Sequence, residues 1–85
     1  MERTKERNKE ALNTAIRNRI KELVSDRNMS LHSLSVTCQL AYSTLSSYMR
    51  QKCNSVTLTT IEKLCKGLDI TVMEFFNTPE FKKIK

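Results

Sequence analysis

The sequence predicts a single all-α domain of five helices. Only one Gly and one Pro occur among 85 residues, so the chain lacks the tight-turn chemistry that β-hairpins and doubly wound α/β sheets demand. Its apolar residues recur every three or four positions, the period of a helix face. Its length suits one small core and not two.

The first helix is expected over about 9–27, where Ile16, Ile20, Leu23 and Val24 share one face and Leu12 and Ala15 continue it backwards. Ahead of it, Arg3 with Arg7, Lys5 with Lys9 and Glu6 with Glu10 are like-charge pairs four residues apart, which weaken an isolated helix. Residues 1–13 are therefore expected to be a charged, frayed extension, 14–77 the domain proper and 78–85 a short tail. Ser30 can cap a second helix bearing Leu31, Leu34, Ser35 and Cys38, with Gln39-Leu40-Ala41 as its exit turn. A third helix follows from Tyr42 to about Arg50: Leu45 and Tyr48, with Met49 at their edge, face inward, and Tyr42, Ser43, Ser46, Ser47 and Arg50 face out. Beyond a polar loop over 51–56, Thr57 can cap a fourth helix with Leu58, Ile61, Leu64, Cys65 and Leu68 on one stripe. Thr71-Val72-Met73-Glu74 is a capping box that opens a fifth helix carrying Phe75 and Phe76. No internal repeat and no low-complexity linker interrupts this order.

Composition narrows the function. Fifteen Lys and Arg against nine Asp and Glu give +6 and an isoelectric point near 9.5, which favours an anionic partner, nucleic acid or an anionic membrane surface. No apolar run approaches the roughly 20 residues that cross a bilayer, and the charged start carries no signal-peptide apolar stretch, so a cytoplasmic protein is expected. The three cysteines are too widely spaced for a closed zinc site. Cys38 and Cys65 fall on apolar stripes as small hydrophobes, and Cys53 stands among polar loop residues. His32 is the sole histidine and has no Ser, Cys or carboxylate at a helical spacing that would make a convincing catalytic pair, nor is there a Gly-rich phosphate loop. No enzyme activity, metal, cofactor or small-molecule ligand is expected.

The segment 31–50 has the apolar spacing of a helix-turn-helix: Leu34, Ser35 and Cys38 on the first helix, Leu40 plugging the turn, Leu45 and Tyr48 beneath the second. Ser35 is small where two helices must cross closely. On these positions, and on Ser30-Leu31-His32-Ser33-Leu34-Ser35, Tyr42-Ser43-Thr44-Leu45-Ser46 and the run from Ile61 to Phe76, the chain resembles the phage repressor and Cro (Xre) family of transcriptional regulators, in particular small stand-alone members from Gram-positive bacteria. The likeness runs from about Ile16 to Phe76.

The resemblance implies a five-helix repressor-like fold whose third helix enters the DNA major groove, commonly as a dimer on an inverted-repeat operator. Carried over by position, it implies base contacts at Tyr42, Ser43, Ser46 and Ser47. Phosphate contacts would come from Ser30, Leu31 and His32 at the start of the second helix and from Arg50, Lys52 and Asn54 after the third. Four departures stand out. Gln39 occupies the turn position usually held by Gly, at a cost of about 1 kcal/mol. Ala41 replaces a capping hydroxyl, forfeiting about 1 kcal/mol. Leu31 replaces a phosphate-binding Gln. The family's buried Arg–Glu pair between first and third helices falls on Val24 and Met49.

Charge placement supports the same function independently, because every acidic residue lies at or before Asp26 or at or after Glu62. A polyanion meets no repulsion between them. A membrane-surface helix would instead line an apolar face with Lys or Arg, where the third helix has serines. A DNA-binding regulator, expected to be a repressor, is thus favoured, with an antitoxin-type protein-interaction module that also binds DNA as the alternative. Phe75, Phe76, Phe81 and Ile84 exceed what a short closing helix buries, so a homodimer interface is expected at Phe76, Phe81 and Ile84. The competing expectation is that Phe81 and Ile84 fold back over the first helix of the same chain.

Overall fold

A computed structural model describes the backbone of residues 2–51 and 55–84 and the side chains of those from residue 11 onward. The described residues form helices only: α1 Glu2–Asp26, α2 Leu31–Thr37, α3 Tyr42–Met49, α4 Leu58–Leu68, α5 Val72–Phe76 and α6 Pro79–Lys82. The all-α class is as the sequence predicts, with two differences. α1 begins at Glu2, because like-charge pairs cost only a few tenths of a kcal/mol each against the cooperativity of a long helix. The segment expected to be a tail contains α6, one turn started by Pro79 at its first position, where proline's fixed φ suits a helix.

Helix starts follow the caps visible in the sequence. The Ser30 hydroxyl accepts the Ser33 N–H at 3.0 Å, and Thr57 accepts that of Thr60 at 3.1 Å. Thr71 and Glu74 exchange the two bonds of a capping box, both at 3.0 Å. Hydrogen bonds from the Thr71 backbone and side chain hold the Glu74 carboxyl below the usual carboxylate range. Ala41 gives α3 no side-chain cap.

Helix ends follow a rule the sequence disguises. Met29, Leu40 and Ile70 donate their N–H groups back across one turn to Val24, Ser35 and Cys65, at 2.8, 2.8 and 3.0 Å. These are Schellman closures of α1, α2 and α4. Each needs a left-handed residue, and the three are Asn28, Gln39 and Asp69, with φ of 56°, 56° and 57°. Gln51 takes φ 63° after α3. None is glycine. The single Gly67 lies inside α4, where an added Cβ would stand 2.4 Å from the Cys38 sulfur and 2.9 Å from the Cys38 Cα. It is spent on letting α4 touch the end of α2.

The core gathers Ala15, Ile16, Ile20 and Leu23 of α1, Leu34 and Cys38, Leu45 and Tyr48, the α4 stripe Ile61, Leu64, Cys65 and Leu68, and Phe75, all buried. Leu12 departs from the expected stripe and is 41% exposed, while Asn13 and Arg17 take interior places. Phe75 is buried and its neighbour Phe76 half-buried, as adjacent residues about 100° apart on a helix must be. Phe76 packs edge-on against Phe81 with centroids 4.9 Å apart. α6 rests on α1, aided by a bond from the Asn18 amide to the Glu80 carboxylate at 3.1 Å. Arg19 reinforces the same side, donating to the Phe75 and Glu74 carbonyls at 2.8 and 2.9 Å.

Two glycine substitutions are expected to act in opposite directions. Gly67→Ala should destabilise by about 2 kcal/mol, because the Cβ meets the Cys38 backbone. Gln39→Gly should stabilise by about 0.5–1 kcal/mol, relieving a left-handed side chain at some cost in unfolded-state entropy. Urea denaturation of the two variants measures both.

Candidate nucleic-acid interface

α2, the Gln39 turn and α3 form one packed unit. Leu34, Ser35 and Cys38 are buried on α2, Leu40 is half-buried in the turn, and Leu45 and Tyr48 are buried under α3, each where the sequence spacing predicts. The Ser35 hydroxyl donates to the His32 carbonyl at 2.6 Å, so the small polar residue satisfies itself within its own helix.

α1 holds α3 from behind. Arg17, 8% exposed, donates from Nε to the Tyr48 carbonyl at 2.7 Å. Its guanidinium also lies 4.6 Å from the Tyr48 ring centroid. The Tyr48 hydroxyl in turn donates to Asn13 Oδ1 at 2.8 Å. A cation at the carbonyl end of α3 also matches the helix dipole. Val24 and Met49 are half-buried at the core margin. Their positions are apolar as expected, yet a buried guanidinium still joins α1 to α3, from Arg17 two turns earlier. Asn13, Arg17, Ile20 and Val24 continue one helical stripe, and only the polarity of the first two hid it.

The outward surface of α3 is set by the same phase. With Leu45 and Tyr48 pointing in, Ser43, Ser47 and Arg50 fall on the opposite arc at spacings of four and three. Tyr42, Ser43 and Arg50 are exposed and Ser47 is half-buried. Ser46 requires a correction: it lies about 100° from Leu45, on the flank of the core, and is only 9% exposed. Thr44, which the sequence reading passed over, is exposed instead.

At the start of α2, Ser30 and His32 are exposed. The Leu31 side chain packs against the core, as its place among the apolar residues of the second helix predicts. Only its backbone N–H, at the first position of α2, is available to a phosphate. The His32 ring sits 5.5 Å from that of Tyr42, a pairing across the turn that helical spacing within either helix could not reveal. Lys52 and Asn54 lie outside the described residues, as does Cys53. No acidic residue occurs between Arg27 and Thr60.

The other sequence candidates resolve elsewhere. Burial pushes the Cys38 thiol up, with Cys65 adding to it, and burial raises Cys65 as well, so both remain packed thiols. Among the described residues no group of His, Cys, Asp and Glu could hold a metal ion, and no helix is long and apolar enough to cross a membrane. Phe76, Phe81 and Ile84, expected at a dimer interface, are half-buried. Phe76 and Phe81 pack against the core of their own chain. The large apolar side chains most exposed are Leu58 at 84% and Met73 at 80%.

A short helix seated by its neighbour through a tight turn, buttressed from behind and presenting a polar, acid-free stripe outward, defines the helix-turn-helix class of DNA-binding regulators. A family model for the Cro/C1-type HTH DNA-binding domain matches residues 19–80. That is well over half of the chain, and the protein belongs to this family. Comparison with curated proteins and with solved structures gives no match.

The match begins beyond Asn13 and Arg17, and their contribution is measured directly. Arg17→Met keeps much of the packing and removes a charge-assisted bond to the end of α3. It is expected to cost about 2 kcal/mol in urea denaturation, with a similar loss when Tyr48 is already Phe, because that change removes only the hydroxyl bond to Asn13 and keeps the carbonyl and ring that Arg17 meets.

Proposed function

We propose that the protein is a sequence-specific regulator that reads the major groove of double-stranded DNA with α3, and that it acts in the cytoplasm as a repressor by occupying its operator. The observation that carries this reading is the outward stripe of Ser43, Ser47 and Arg50, with Tyr42 at its head, on a segment without acidic residues. An eight-residue helix is about 12 Å long, comparable to the width of the groove it would enter. In this reading Tyr42, Ser43 and Ser47 face base edges, Tyr42 through its ring against a thymine methyl or through its hydroxyl. Serine pairs with more than one base, so discrimination is shared with DNA shape. Ser30, the Leu31 N–H and Arg50 meet phosphates, as do Lys52 and Asn54.

Two copies on an inverted repeat complete the proposal. Because Phe76 and Phe81 pack within their own chain, the surface offered to the second copy is that of Leu58 and Val72, which line a shallow cleft with Ile61 and Phe76, together with the exposed Met73. The same exposed apolar surface favours one second reading, a protein-interaction module of the antitoxin type docking a different chain there.

Arg50→Ala should weaken binding to all duplexes about equally and lower the magnitude of the log–log salt slope by about 1, one counterion-releasing contact. Fluorescence polarisation across a salt series measures it. In binding-site selection, Ser43→Ala and Ser47→Ala should relax preference at single operator positions and leave that slope unchanged.

Assembly has its own measurement. Sedimentation equilibrium at micromolar concentration should give twice the 9.9 kDa chain mass, and Met73→Glu should return it to the monomer by placing a charge in the apolar contact. A monomer throughout, bound to a half-site as tightly as to the inverted repeat, would reject the homodimer.

A further inference from the structure

We propose that His32 is a specificity-determining positioning residue, whose ring fixes the pose in which Tyr42 meets a base pair. The proposal rests on α3 being the base-reading helix. The two ring centroids lie 5.5 Å apart with planes tilted by 49°, within the range over which aromatic rings attract.

The two ends of this contact differ in how firmly they are built. Around His32, the Ser30 cap binds the Ser33 N–H and the Ser35 hydroxyl holds the His32 carbonyl. Leu31 packs into the core beside it. The first turn of α2 is therefore set, and His32 projects from it toward the start of α3. Tyr42 has no comparable support. Ala41 before it offers no side-chain cap, Tyr42 is 44% exposed, and within the described residues its side chain makes no hydrogen bond.

A tyrosine so placed divides among the staggered χ1 wells that its backbone allows, and selecting one on binding costs affinity. The contact with the His32 ring selects one before DNA arrives. An aromatic pair of ordinary strength corresponds to a factor of about 2–10, and this factor falls on the base pair that Tyr42 reads. A phosphate contact from His32 would instead act on all sequences alike.

Binding-site selection on wild type, His32→Ala, Tyr42→Ala and the double variant separates the two roles. His32→Ala should flatten preference by about 2–10-fold at the base pair that Tyr42→Ala also flattens, the double variant should match Tyr42→Ala alone, and His32→Phe should restore the wild-type profile. An equal loss on every duplex with the profile intact, or strictly additive effects, would overturn the proposal. Should the wild-type protein select no duplex, the base-reading role of α3 fails, and the ring contact is then judged in the free protein by NMR. Tyr42 χ1 couplings that change in His32→Ala support positioning, and couplings that stay the same refute it.

Discussion

The place where α4 meets α2 constrains everything above it. Cys38 closes α2, and the lack of a side chain at Gly67 lets α4 come up beneath it, since a Cβ there would fall within 2.4 Å of the sulfur. Cys38 is also the residue before the left-handed Gln39. The depth at which α2 sits on α4 therefore sets where the turn begins, and the turn sets where α3 begins. A glycine at position 39 would relieve the turn, but a glycine at 67 is what lets the helices reach the geometry the turn serves. A left-handed side chain costs about 1–2 kcal/mol, whereas a methyl driven into backbone displaces a whole element. With one glycine available, the larger steric demand has it.

α3 is then held from its inner side by contacts that leave its outer side without structural duty. Leu45 and Tyr48 bury the inward arc, while Arg17 takes the Tyr48 carbonyl and the face of the Tyr48 ring. A buried guanidinium is stabilising only if its donors and its charge are met, and here a helix carbonyl end and an aromatic face both meet it. Ser43, Ser47 and Arg50 are thereby released from packing.

What could be learned from the sequence divides along the range of the interactions concerned. Caps were legible at Ser30, Thr57 and Thr71-Glu74, because each is completed within three residues of itself. The interior positions Leu34, Cys38, Leu45 and Tyr48 were legible because helical period alone places them. Asn13 and Arg17 were not: their burial depends on Tyr48, more than thirty positions away, and a reading based on apolar spacing passes over polar residues on the same stripe. Ser46 failed for a related reason, as a small side chain on the flank of a short helix gives no sign of which side its neighbours will cover. Gly67 carries no turn signal inside a helix, and only the proximity of Cys38 explains it. The His32–Tyr42 pair joins two exposed residues across a turn, where neither period nor polarity points to a contact.

The starts of α4 and α5 show how packing in one place shifts function to another. Arg19, α6 and the Phe75–Phe76–Phe81 cluster close the C-terminal side over α1. Leu58 and Val72 each occupy the first position of a helix, directly after a threonine cap. That position makes no demand for an apolar residue, because its N–H is unpaired within the helix in any case and its side chain need not face the core. Leu58 at 84% exposure and Met73 at 80% thus add nothing to the fold and cost solubility if left in water. Both lie on α4 and α5, which support the helix-turn-helix from below without occupying its outward face.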